Sequence, residues 1–347
     1  MRLLLASSLV AATALGLAGQ TPPARTLRFV FTSDAHYGLT RARFRGRTGV
    51  TAHDVNSALV SDIQSLGALD FVVEGGDVAN RAEAGSQVQP ASVSWNEFRR
   101  DYIDRITAPV YVVPGNHDVS NAIGFTKKLI AEKDTSALVG IYNLMMAPQH
   151  RTTATFNYAT DRMLTSRDIG GVHFVFLNVW PDSLSRAWLD GDLRHVGGST
   201  PVVIFTHDQP ESEWKHFTNP NGAHDINAVD GYENLLCDTF NGDRPGEWEA
   251  FVAAHPNITA YFHGNSNWNQ FYDWAGPHHA VSLHTFRVDS PMKGKFSEPD
   301  ETKLSFHVAS IDTKAMTLTV RERLWNTAAW GDSVTVSLSS ASRLTHN

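Results

Sequence analysis

The sequence predicts an α/β fold, and three regularities carry that expectation. Short apolar runs alternate with stretches whose apolar residues recur every three or four positions, the patterns of buried strands and amphipathic helices. Most of these runs end in a polar cluster rich in Asp, Asn and His. In the first third the order is strand, Asp34-Ala35-His36, helix, strand, Gly76-Asp77, helix, strand, Asn116-His117-Asp118. Repeated β-α units of this kind line up their strand ends along one edge, where open α/β sheets bind ligands.

The run 27–31 is the first strand, and it delivers Thr32-Ser33-Asp34-Ala35-His36. Asp34 and His36, two apart on an extended chain, project to the same side, so a carboxylate and an imidazole can reach one ion. Segment 41–47 carries four arginines with Phe44 and Gly46 among them; it reads either as a solvated mobile loop or as an anion-steering loop beside the site. A helix follows over 50–66, where Val55, Leu59, Ile63 and Leu66 form one stripe and Thr51 with Asp54 suits an N-terminal cap. Strand 69–73 leads into Glu74-Gly75-Gly76-Asp77. Its glycines let the backbone approach a ligand closely, and the Asp77 carboxylate is placed to bridge two ions. Trp95, Phe98, Tyr102 and Ile106 mark a second helix, and strand 110–113 ends at Pro114-Gly115-Asn116-His117-Asp118.

Beyond that edge the pattern gives a helix over 125–133, an irregular connection at 144–150, and strands at 156–158 and 174–177. An amphipathic helix over 185–196 is ended by Gly197-Gly198. Strand 201–205 presents Thr206-His207-Asp208. The polar stretch 210–249 is too long for a bare connection and favours a lid or cap inserted in the domain. A short helix at 248–254 and a strand at 259–262 precede His263-Gly264-Asn265-Ser266-Asn267. The alternating tail segments 304–311, 316–320 and 334–338 read as antiparallel strands, reaching to about 338, that finish a second sheet.

With 347 residues and ordinary apolar and charged fractions of 42% and 19%, the chain can bury a substantial core. Its formal charge of −7 gives no general attraction to nucleic acid or an anionic membrane, so an anionic substrate needs a local positive site such as metal ions. Residues 1–20 read as a signal peptide, with Arg2 at the start, an apolar stretch too short for a stable membrane span, and small residues Gly16 and Ala18 for cleavage. The expectation is a single exported domain over 25–347, secreted or periplasmic. The lone cysteine, Cys237, cannot pair within the chain.

Asp34-x-His36, Gly76-Asp77, Gly115-Asn116-His117-Asp118, His207 and Gly264-x-x-Asn267, in that order over residues 27–270, resemble the ordered motifs of calcineurin-like metallophosphoesterases. The resemblance implies a four-layer α/β/β/α sandwich with two divalent metal ions (Mn, Mg, Fe or Zn) at the strand ends. It assigns Asp34 and His36 to the first ion, Asp77 to a bridge, and Asn116 with His207 to the second. The implied activity is hydrolysis of small phosphate mono- or diesters by a hydroxide bridging the ions. His117, beside a ligand without having to be one, is the candidate general acid. Asp118 either orients it or caps the following segment.

The last motif departs from the family, which usually has Gly-His-x-His where this chain has Gly264-Asn265-Ser266-Asn267. Asn265 and Asn267 can ligate through amide oxygens, more weakly than imidazole and as harder donors, which tilts the site towards Mn²⁺ or Mg²⁺. His263, through a shifted loop, is an alternative ligand. The altered motif also raises a second reading, a non-catalytic or single-metal homologue that binds a phosphorylated ligand. Asn80, three after Asp77, stands where purple acid phosphatases have a tyrosine, and no G-x-S-x-G marks a serine hydrolase. Phe271, Tyr272, Trp274 and Trp268 form either an aromatic wall or core. Arg287, Asp289, Ser290 and Lys293 either contact phosphate or make a surface turn.

Overall fold

Strand β1 (Thr26–Thr32) is buried on both faces over most of its length, which is why it reads as an unbroken apolar run. The Phe29 ring stacks on Phe71 of β4 (Phe71–Glu74) at 4.8 Å and meets Phe174, Phe205 and Phe262 edge-on at 5.6–6.0 Å. Those three rings belong to β7 (Val172–Phe176), β8 (Val202–Phe205) and β9 (Ile258–His263), so two sheets face each other across an aromatic core. This is a computed structural model, and it describes residues 25–80, 89–123, 134–158, 160–211 and 245–339. The expected signal peptide, the helix at 125–133, Cys237 and most of the 210–249 insertion lie outside the described residues.

The first sheet runs β14-β13-β12-β1-β4-β5, with β5 at Val110–Val112, β12 at Ser305–Asp312, β13 at Thr317–Leu324 and β14 at Ala329–Ser337. Parallel pairing of β1 with β4 and of β4 with β5 brings three strand ends to one edge. The tail strands were expected to finish a second sheet, but they extend the first one, β12 lying antiparallel to β1 with Phe29 opposite Ala309. Alternation identifies a strand without saying which open edge it joins. The second sheet runs β10-β11-β9-β8-β7-β6, with β6 at Thr165–Ile169, β10 at Gln270–Trp274 and β11 at Leu283–Arg287.

Helix α1 (Ala52–Ser65) buries the predicted stripe of Val55, Leu59 and Ile63, and the Thr51 hydroxyl accepts from the Asp54 N–H at its start. Val50 falls in the preceding strand, β3 (Arg47–Thr51). Helix α2 (Ala91–Phe98) continues as a π-helical turn over Arg99–Ile103, which keeps Phe98 and Tyr102 on the buried side. Helices α3 (Asn116–Ile123) and α4 (Ser136–Met145) follow β5. Helices α5 (Ser183–Leu193) and α6 (Pro245–Ala254) bury Leu189, Leu193, Trp248 and Val252 against the outer face of the second sheet. Two facing sheets, each backed by helices, make the predicted α/β/β/α layering.

Three local expectations fail. Segment 156–158 is a turn rather than a strand, the Asn157 N–H donating to Asp161. Residues 144 and 145 close α4 instead of forming loop. The arginines of 41–47 lie on a hairpin of β2 (Thr40–Phe44) and β3 rather than a loop, with Arg43, Arg45 and Arg47 exposed as a solvated segment requires and Arg41 alone departing from that reading. Its guanidinium is buried and donates to the carbonyls of Pro291 and Ser297, satisfying backbone acceptors under a loop.

Candidate metal centre

The ends of β1, β4, β5 and β8 deliver their predicted side chains to one buried place. The loop after β1 carries Asp34 and His36, that after β4 carries Asp77, and β5 runs into the start of α3 with Asn116 and His117. His207 follows β8, and Asn265 and Asn267 follow β9. Asp77 lies at the centre. Its Oδ2 is 3.3 Å from His207 Nε2, 3.7 Å from His36 Nε2 and 3.9 Å from His117 Nε2. His36 Nε2 is also 3.4 Å from Asp34 Oδ1, and His207 Nε2 is 3.0 Å from Asn116 Oδ1. Donor atoms of His36, Asp77 and His117, and of Asp34, Asp77 and His207, form two groups of metal-ligand dimensions that share Asp77.

The backbone is shaped for this. Asp34, His36, Asp77, Asn265 and Asn267 all have positive φ, between 42° and 63°. Non-glycine residues in this region are uncommon, and their clustering at one place marks a functional constraint. Close approach of the loops needs glycine at two points. A Cβ on Gly115 would run into the Asp77 backbone and carboxylate, and one on Gly264 would run into Ser33 and the Asp34 carboxylate.

Burial opposes ionisation of Asp77, but the imidazoles of His207, His117 and His36 hold its carboxyl well below the ordinary range. Asp34 is likewise lowered, burial being outweighed by His36 and His207. Burial pushes the other way on His207, and Asp77, Asp34 and the Gly75 carbonyl overcome it, raising the imidazole to about 10. Two buried carboxylates this close thus call for positive charge. Burial takes Glu74, which accepts from the Thr32 hydroxyl, up to about 8, which favours the neutral form of this acid beside the site.

The donors present fit divalent cations. Asp34 Oδ1, both ring nitrogens of His36 and Asn267 Oδ1 are buried without a hydrogen-bond partner, an arrangement whose cost a bound ion relieves. Asn265 gives its amide N–H to Asp208, and Asn267 gives its own to the Asn265 carbonyl. With the nitrogen end of each amide engaged, the oxygen end is the one left for a cation. His263 does not enter the site: its ring lies 3.0 Å from the Gly264 carbonyl through Nδ1 and 3.2 Å from the Tyr272 hydroxyl through Nε2.

Asp118 is engaged by backbone that precedes it in the chain. Its carboxylate accepts the backbone N–H groups of Val78, Ala79 and Gly115, tying the Asp77 loop to the Asn116 loop. Asp208, which sequence reasoning passed over, fixes Asn265 and is wholly buried behind it. Its only sequence signal was its place directly after His207. Of the aromatics read as either wall or core, Trp274 is core, while Trp268 lies under Arg287 at 4.2 Å and Lys295 at 4.5 Å.

The model of the calcineurin-like phosphoesterase family matches residues 27–286, and the chain belongs to that family. It is accordingly a metal-dependent hydrolase of phosphate esters, and the ligand groups around Asp77 agree with a dimetal site. Among solved structures it is similar to purple acid phosphatase PPD1 from yellow lupin (Lupinus luteus) seeds, with 14% identity and a TM-score of 0.57. That match covers 90% of this chain, which spans about half (54%) of the lupin chain. It is also similar to a dimetal phosphatase from Danio rerio, with 12% identity, a TM-score of 0.55, and 90% and 99% of the two chains covered. At these identities the likeness is one of fold. No curated protein matches.

Proposed function

We propose that this chain is an exported phosphoesterase that hydrolyses small phosphate esters with two divalent ions, Mn²⁺ or Mg²⁺ being favoured. The observation that carries this reading is the convergence of Asp34, His36, Asp77, Asn116 and His207 on one buried point. Asp34 and His36 would hold one ion, Asn116 and His207 the other, and Asp77 both, with the amide oxygens of Asn265 and Asn267 completing the shells. Bound there, the ions supply Lewis-acid polarisation of the phosphoryl group and activation of water. Export rests on the N-terminal segment of the sequence, whose composition is that of a signal peptide.

His117 serves as the proton donor to the leaving alcohol. Burial, with the charges of Lys293, His36 and His207, holds its imidazole well below the ordinary value, against the pull of Asp77. A negative phosphoryl group beside the ring favours its protonated form, so the acid is made where it is used. The membership of His117 in one ligand group supports a second reading, in which it ligates in place of a missing histidine.

Turnover of p-nitrophenyl phosphate, bis-p-nitrophenyl phosphate and an alkyl phosphate with Mn²⁺, Mg²⁺ or Zn²⁺ tests the proposal. Wild type is expected to turn over at least one ester only when metal is supplied, and Asp77→Asn to lose that activity. His117→Ala should lower kcat for the alkyl ester by about 10²–10⁴-fold, and less for the p-nitrophenyl esters, whose leaving group needs little protonation. A His117→Ala protein that keeps two ions supports the acid, and one that loses an ion supports the ligand reading. Metal-independent turnover, or none by wild type, contradicts the proposal.

A further inference from the structure

The segment after β11 is bound to the metal-centre loops at three points. The Val288 N–H donates to the His263 carbonyl, the Ser290 hydroxyl to the Asp34 carbonyl at 3.0 Å, and the Lys295 N–H to the Asn267 carbonyl at 2.6 Å. Between the last two anchors stands Lys293, its own N–H donating to the Ser290 hydroxyl. Lys293 is half-buried, and among the described residues its ammonium has neither an ion pair nor a hydrogen bond. By contrast the nearby cations are engaged: Arg41 by carbonyls, Arg287 by Glu211, and Lys295 over the Trp268 ring. After burial, the Lys293 charge is among the causes that depress both His36 and His117.

A half-buried lysine without a counter-charge loses hydration and gains nothing within the protein. The cost is met if an anion comes to it.

Building on the phosphoesterase reading above, we propose that Lys293 is a substrate-binding residue whose ammonium takes a phosphoryl oxygen at the metal centre, beside the Asp34 and Asn267 loops to which its own loop is tied. As a point charge it favours the doubly charged terminal phosphate of a monoester over the singly charged phosphate of a diester. It is a distinct contribution to the site, made by a loop that carries none of the metal ligands.

Titration of inorganic phosphate into the Mn²⁺-loaded full chain, by calorimetry, tests this with Lys293→Met and Lys293→Arg. Elemental analysis and a thermal melt of each protein run alongside. The methionine variant should keep its ions and its melting temperature while binding phosphate about tenfold or more weakly, the usual effect of losing a charge-assisted hydrogen bond. Arginine, a cation that also binds phosphate, should restore most of the affinity. Unchanged phosphate affinity in a two-ion Lys293→Met protein overturns the assignment and leaves the phosphoesterase reading standing. A wild type that takes up no metal overturns that reading first and this one with it.

Discussion

Asp77 shows how one residue can gather the demands of several loops. Its Oδ1 accepts the His117 backbone N–H at 2.8 Å while its Oδ2 faces three imidazoles. Asp118 stands behind it, pushed up to about 7 by burial and by Asp77 yet held by three backbone N–H groups. Replacing Asp118 with alanine leaves those buried donors unsatisfied, and we expect a loss of about 1–3 kcal/mol or more in urea denaturation. Metal affinity should fall with it, since the loops of Asp77 and Asn116 are no longer tied. Unchanged stability in Asp118→Ala would show that the clamp is not needed. At this scale the sequence was generous with the ligands, because a carboxylate or imidazole after an apolar run is visible as a pattern. It was silent on the positive φ values of Asp34, His36 and Asp77, which come from tertiary closure and leave no mark in residue type.

Elements were legible where their pattern had a period and hidden where packing overrode it. Helix α1 showed its cap and stripe, whereas α4 is apolar nearly all round and gave no stripe to read. Strand β6, with the sequence TSRDI, is a polar edge strand that no apolar run announces. Arg41 was misjudged because charge was taken as solvation, while the guanidinium had backbone carbonyls to serve. At β7 the buried His173 lies 2.7 Å from Asp168 of β6 and 2.9 Å from Asp192 of α5. Burial lowers its basicity, but the two carboxylates outweigh that and raise it above the ordinary 6.5. The folded state therefore binds this proton more tightly than the unfolded chain. Its contribution to stability is complete below the ordinary value and is lost as pH rises through the raised one. The melting temperature of wild type relative to His173→Gln should accordingly shrink from pH about 6 upward; a constant difference would remove His173 from the linkage. Gly115→Ala tests the loop contacts, since the added Cβ meets the Asp77 backbone as well as its carboxylate. The expected outcome is a protein with reduced metal content, read by elemental analysis.

Across the whole molecule, the two sheets hold the strand ends together through the aromatic rings between them. Phe29→Ala removes the ring that touches four others, and we expect about 3–5 kcal/mol of destabilisation in urea denaturation. The α/β class and the common edge were readable from the order of runs and motifs. Assignment of the tail strands to the first sheet was not, because it depends on which edge of β1 remained open. All of this architecture has one consequence, a buried carboxylate flanked by ligands from separate loops. Crystals grown with Mn²⁺ and measured at the manganese absorption edge test it most directly. The account predicts two anomalous peaks on either side of the Asp77 carboxylate, one beside Asp34 and His36 and one beside Asn116 and His207. Peaks elsewhere, or none within ligand distance of Asp77, would contradict it.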